Sequence, residues 1–103
     1  MRSRIAELWR EHRAARFPSG YQGEEVAGFD LILLDADSAG CVSAFLSRGG
    51  RLDPALLAVL GLCYHHLAIV AAQLRDEAQQ YFGRLEELAG LVLAEVRDGA
   101  GTD

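Results

Sequence analysis

The stretch PALLAVLGLCYHHLAIVAAQL, residues 54–74, contains no aspartate, glutamate, lysine or arginine. Asp53, directly before it, can accept hydrogen bonds from the free N–H groups of a first helical turn. Pro54 fits the first helical position because the N–H that proline lacks has no partner there. The stretch is too long for an ordinary strand, so it predicts a buried or interface helix around which the other segments pack.

Two sides of this predicted helix are apolar. The residues of the first side recur at spacings of three and four, and they are Leu56, Leu60, Cys63, Leu67, Val70, Ala71 and Leu74. The second stripe lies opposite and contains Leu62, His65, Ile69 and Ala72. A helix that is apolar on both sides must be covered on both sides.

The same stretch nearly has the length of a membrane span. Its midpoint, however, carries His65 and His66, and Gln73 follows. These polar side chains would cost several kcal/mol in hydrocarbon, whereas burial among the helices of a soluble domain is cheap. We therefore expect a helix within a soluble protein and no membrane partner.

The composition is that of an ordinary soluble globular domain. Half of the 103 residues are hydrophobic and 24% are charged, which fits one domain over residues 1–98 with a disordered tail at 99–103. The net charge of −5 argues against nucleic acid as a partner, because phosphate binding needs a basic surface. Residues 1–17 nevertheless carry a net +3 and the remainder −8. We expect the first helix to dock on acidic residues of the same chain.

The choice of residues also bears on source and location. All ten basic residues are arginine, and neither lysine nor asparagine occurs, a bias typical of a high-GC bacterial genome. Two cysteines are too few for a disulfide framework, and the charged start of the chain does not resemble a secretory signal. We expect a cytoplasmic protein with reduced thiols.

Signals for helix ends divide the chain into four helices. Pro18 ends the first, because the residue before a proline avoids the helical region. Asp30 is suited to cap the second, the glycines at 49–50 to end it, and Asp76 to begin the last. We predict an all-α fold without a sheet, a compact antiparallel four-helix bundle with a long loop between helices 1 and 2. The helices cover residues 3–16, 30–48, 54–74 and 76–98; a short strand at 29–34 before a shorter second helix is the alternative.

A metal site has weak support in the sequence. Cys63 and His66 are three residues apart, so on a helix both can face one ion. A zinc site needs further ligands, and folding would have to bring in Cys41 or His12. Buried cysteines commonly act as small hydrophobic residues and core histidines as hydrogen-bonding groups. We therefore predict no metal and no cofactor.

A small-ligand site in the Cys63–His66 region is the alternative function. Trp9 and Tyr64 have polar atoms that need partners, and they can line a pocket under the 18–29 loop. Asp35 can orient His66 or His12, a carboxylate–imidazole pair that suits general base catalysis and equally serves as a polar contact between helices. No pattern identifies a nucleophile or a substrate pocket, so an enzyme is not predicted.

The second stripe predicts the function that we favour, an interaction module. An outward stripe in a four-helix bundle stays in water, and this one is apolar where charges are expected. We predict self-association, most simply as a two-fold homodimer, or binding of a protein partner. The predicted interface residues are Leu62, His65, Ile69, Ala72 and Leu91. In the competing arrangement, helix 1 and the long loop cover the stripe within one chain.

Overall fold

The computed structural model describes residues 2–101, with side chains as far as Gly99. Its elements are α1 (Arg2–Ala14), β1 (Glu25–Val26), β2 (Phe29–Asp30), α2 (Leu31–Ser47), α3 (Pro54–Ala71) and α4 (Asp76–Gly101). The helices pack as α3 against α4 and α2, and as α1 and α2 against α4. The radius of gyration of 13.3 Å is that of one compact domain of this length. The predicted all-α four-helix bundle is confirmed.

A short β-hairpin corrects the prediction that the fold contains no sheet. Val26 pairs with Phe29 and Glu25 with Asp30 in antiparallel register. The two turn residues, Ala27 and Gly28, both have positive φ, at 54° and 84°. This conformation matches the twist of a tight hairpin, but alanine there gives no recognisable turn signal. The alternative of a strand at 29–34 therefore holds for two residues only, since the helix begins at Leu31.

The predicted starts of α2 and α3 are confirmed by their caps. The Leu33 N–H donates to Asp30 Oδ1 at 3.0 Å, and the Leu56 N–H donates to Asp53 Oδ1 at 2.8 Å. The hydrogen bond from Leu56 lowers the pKa of the Asp53 carboxyl. At the other end of α2, the Gly50 N–H closes the helix on the Phe45 carbonyl at 2.8 Å.

Three helix ends differ from the prediction by two residues or more. α1 ends at Ala14 rather than at residue 16, and α3 ends at Ala71 rather than at residue 74. After Ala71 the backbone forms hydrogen bonds of the tighter 3₁₀ type. The break that was predicted before Asp76 is therefore present but begins earlier. α4 continues to Gly101, through part of the predicted disordered tail. Residues 102–103 of that tail lie outside the described residues.

The core lies between α3 and α4 and is closed by α1 and α2. The predicted inner side of α3 is buried, including Leu60, Cys63, Leu67, Val70 and Ala71. The largest fully buried side chains opposite it come from the other helices, and they include Ile5, Leu31, Phe45, Phe82, Leu85 and Leu88. Burial of this inner side sets the rotation of α3 about its own axis. The second stripe consequently points outward.

Candidate functional site

The outer face of α3, which we define as Ala58, Leu62, His65, Ile69 and Ala72, is exposed to solvent. Leu62 is 58% exposed and Ile69 36% exposed. α1 packs against α4, and the segment after it, residues 15–19, borders a cavity on α4. The competing arrangement, in which α1 and the loop cover this stripe, is therefore not the one that the chain adopts.

α3 also has the length and composition of a membrane span. Its 18 residues have a mean hydropathy of 1.8, and only 28% of them are buried. Among the residues that the structure describes it is the one helix that passes this test. Its inner side is nevertheless part of the same core as Phe45 and Phe82. The apolar excess of α3 therefore lies on the side that faces solvent.

Leu91, the fifth predicted interface residue, lies elsewhere. It is partly buried on α4 and borders a surface depression of about 330 Å³ together with Tyr64 and Gly90. The Tyr64 ring covers Gly90 so closely that a Cβ on this glycine would lie 3.0 Å from Tyr64 Cε1. Tyr64 and Leu62 point in different directions because they are two positions apart on a helix. The structure therefore places Leu91 beside the α3–α4 seam.

An apolar groove runs between the hairpin, the start of α2 and the edge of α3. Its volume is about 410 Å³, and it borders the outer face at Leu62. Phe29 of the hairpin stacks on His66 of α3, with ring centroids 4.1 Å apart and planes inclined by 30°. The residues that line the groove are Gly28, Phe29, Asp30, Leu33, Leu34, Asp37, Val59, Leu62, Cys63 and His66.

A polar cluster of His12, Asp35 and Tyr81 joins three helices on the opposite side of α2. The Tyr81 hydroxyl donates to Asp35 Oδ2 at 2.6 Å, and His12 Nε2 lies 3.1 Å from Asp35 Oδ1. Burial raises the pKa of Tyr81 well above its ordinary value, and the hydrogen bond to Asp35 raises it further. This is the carboxylate–imidazole pair that the sequence predicts for Asp35, with His12 rather than His66 as the partner.

The surroundings of this cluster favour a structural role. His12 is 5% exposed, and its Nδ1 is buried without a hydrogen-bond partner in the described part of the chain. Trp9 stacks on the imidazole with centroids 6.0 Å apart, and Phe17 packs edge-on against Tyr81. A general base must reach the proton that it removes. The enclosed imidazole instead acts as a polar tie between α1 and α2.

The predicted ligand-binding residues fall into separate places. Trp9 stacks on the polar cluster and Asp35 belongs to it, whereas Tyr64 covers Gly90 of α4 and His66 lines the groove. The segment at 15–19 does border a cavity of about 420 Å³, but its other walls come from α4. The predicted pocket formed by Trp9 and Tyr64 is thus not assembled.

Both cysteines are free and buried. Cys41 Sγ lies 3.7 Å from the Leu56 carbonyl, and Ser38 contacts the Cys63 thiol. Burial raises the pKa of both thiols, and the Asp37 carboxylate adds to this effect. Within residues 2–99, no group of three histidine, cysteine, aspartate or glutamate side chains is arranged to hold a metal ion. The residues considered as metal ligands therefore lie in different places. His12 is hydrogen-bonded to Asp35, while Cys63 and His66 both line the groove.

We expect both native thiols to be unreactive. A buried thiol with a raised pKa supplies little accessible thiolate, so Cys41 and Cys63 should react with Ellman's reagent at pH 8 at least about tenfold more slowly than the same thiols in urea. Ser43→Cys, on the exposed side of α2, provides the matched control and should react rapidly. Equal rates for native Cys63 and the new thiol at 43 would contradict this expectation.

Two aromatic side chains at these sites were not predicted from the sequence to be site residues. Tyr81 follows the apolar spacing of α4, and its bond to Asp35 spans 46 residues. Phe29 enters the groove because the hairpin packs beside α3.

Comparison of this chain with protein-family models, curated proteins and solved structures finds no match. The functional conclusion therefore depends on the exposed face, the groove and the polar cluster themselves.

Proposed function

We propose that this chain is a small helical interaction module that forms a two-fold homodimer through the outer face of α3. The observation that supports this proposal is the exposure of Leu62 and Ile69 on a helix without a charged residue. Contiguous exposed apolar surface of this kind marks interaction sites in soluble proteins. We place the protein in the bacterial cytoplasm, in keeping with its two free cysteines.

The energetics favour association. At about 25 cal/mol per Å², burying roughly 400 Å² of apolar surface contributes about 10 kcal/mol before the costs of association. A standard interface buries about 800 Å² on each partner. Val59, which is 41% exposed, adjoins the outer face and supplies additional apolar area. The resulting interface would be apolar at its centre, as homodimer interfaces commonly are.

A second copy of the chain suits this surface better than a charged partner does. In a two-fold contact a residue on the symmetry axis lies near its own counterpart, so a charge at the centre would repel itself. The chain as a whole carries −5, yet the outer face carries no formal carboxylate or guanidinium charge. Two of the five residues of this face are the alanines Ala58 and Ala72, which are small enough to let two helices approach closely.

A membrane is the less suitable occupant. To enter hydrocarbon across its length, α3 would have to leave the core and expose Phe45, Leu85 and Leu88 to water. His65 would also enter the bilayer on the outer face. Association of two chains removes the apolar outer face from water and leaves the buried side of α3 in the core.

Sedimentation velocity of Leu62→Glu and Ile69→Glu tests the dimer. We expect the wild type to sediment as a dimer at tens of micromolar and both variants as folded monomers, because each would have to bury an unpaired glutamate in an apolar interface. Ser43→Glu adds the same charge on the exposed side of α2 and should remain dimeric. Circular dichroism checks that the helix content is unchanged.

Two outcomes would contradict the proposal. A wild type that is monomeric at tens of micromolar excludes self-association through this face. Flotation of the wild type with phosphatidylcholine vesicles, lost in Ile69→Glu and retained in Ser43→Glu, would assign the face to a lipid surface instead.

A further inference from the structure

We propose that the groove between the hairpin and α3 binds a small organic cation with an apolar body, such as an alkylammonium. Its carboxylates, Asp30 and Asp37, stand beside an apolar channel of about 410 Å³. A volume of this size is typical of small-molecule sites. The groove shares Leu62 with the outer face, but its two carboxylates lie outside that face, and the inference does not rest on the dimer.

The apolar part of the ligand would lie along the α2 and α3 walls. Leu33 is 61% exposed and Val59 41% exposed, and both line the groove together with Leu34 and Leu62. Leaving large aliphatic side chains in water is unfavourable, and covering them with an alkyl chain recovers part of that free energy. The walls thus select an apolar body, without restricting its detailed shape.

The charge of the groove selects the sign of the head group. Asp30 and Asp37 carry the carboxylates, and none of the ten arginines of the chain is among the lining residues. Asp30 already accepts the Leu33 N–H, whereas Asp37 is exposed and therefore available to a ligand. The Cys63 thiol stays neutral because burial raises its pKa. An ammonium is attracted to this site, and a carboxylate is repelled from it.

The two sides of the groove are held in place by contacts within the chain. The stacked rings of Phe29 and His66 tie the hairpin to α3, with centroids 4.1 Å apart. The Leu31 N–H also bonds to the Glu24 carbonyl at 3.2 Å, which holds the hairpin against the start of α2. A pre-formed site of this kind avoids the cost of ordering its walls upon binding.

Three probes with the same chain test the inference: hexylammonium, 1-hexanol and hexanoate. At pH 8 the alkylammonium is charged. We expect hexylammonium to bind about five-fold more tightly than hexanol, because one solvent-accessible ion pair contributes about that factor to the affinity. We expect hexanoate to bind more weakly than either probe. Amide chemical-shift titrations followed by NMR should place the changes at Asp37, Cys63 and His66.

Variants separate the head-group contact from general effects. Asp37→Asn should lower the affinity for hexylammonium to that for hexanol and leave hexanol binding unchanged. Glu11→Gln removes the same charge from the exposed side of α1 and should change neither. Ile69→Glu alters the outer face without lining the groove, so binding should persist in it whether or not the wild type is a dimer.

Equal affinity of the wild type for the three probes would overturn the inference, as would shift changes centred away from the groove. So would an Asp37→Asn variant that binds hexylammonium as tightly as the wild type does. If the wild type is monomeric and still binds the three probes with the expected order of affinities, the dimer proposal is wrong and the groove proposal is supported.

Discussion

Asp35→Ala is expected to lower the free energy of unfolding by about 3 kcal/mol, which corresponds to a fall in Tm of roughly 15 °C. The carboxylate accepts the Tyr81 hydroxyl at 2.6 Å and lies 3.1 Å from His12 Nε2. Its removal leaves two polar groups without an acceptor, and His12 is almost fully buried. Urea unfolding followed by circular dichroism measures the change.

The control for this prediction is on the same helix. Asp37→Ala removes an exposed carboxylate two residues away and should change the stability by less than about 0.5 kcal/mol. The double variant with Tyr81→Phe should lose less than the sum of the two single changes, because the two side chains share one hydrogen bond. An Asp35→Ala variant as stable as the wild type would show that the cluster does not hold α1, α2 and α4 together.

Phe82→Ala is expected to lower the free energy of unfolding by about 3–5 kcal/mol, as truncation of a fully buried phenylalanine typically does. Phe82 is 0% exposed and packs edge-on against Phe17 and Tyr81, with centroids 5.9 Å and 5.2 Å away. The truncation leaves a cavity between α4 and the segment that follows α1, and the surrounding helices can fill it only in part. A domain of about 100 residues has roughly 5–15 kcal/mol of stability, so this loss is a large fraction of the total.

Tyr64→Ala provides the matched aromatic truncation. Tyr64 is 40% exposed over Gly90, so we expect a loss of less than about 1.5 kcal/mol. All of these variants should be compared at one protein concentration, or in the Ile69→Glu background, because association adds to apparent stability. If Phe82→Ala and Tyr64→Ala cost the same, the burial of Phe82 does not govern the stability of the core.

The sequence by itself determined the elements that depend on neighbours a few residues away. The Asp53-Pro54 pair gave the start of α3, and Asp30 gave the start of α2, because a cap bonds to an N–H only three residues on. The spacing of three and four also separated the two sides of α3, since helical geometry alone decides which residues share a side. The uncharged outer stripe was therefore visible as a pattern before its surroundings were known.

Tertiary structure alone decided what each side of these elements meets. Nothing near Asp35 in sequence indicates Tyr81, because their hydrogen bond depends on the docking of α4 against α2. The hairpin turn at Ala27 adopts a conformation that alanine disfavours by itself, and the pairing and packing of its strands hold it there. Whether α1 would cover α3 was likewise undetermined until α1 was found against α4. Local geometry fixes which residues lie on one face, whereas contacts between residues distant in sequence decide whether that face is buried, because they depend on the simultaneous packing of all four helices.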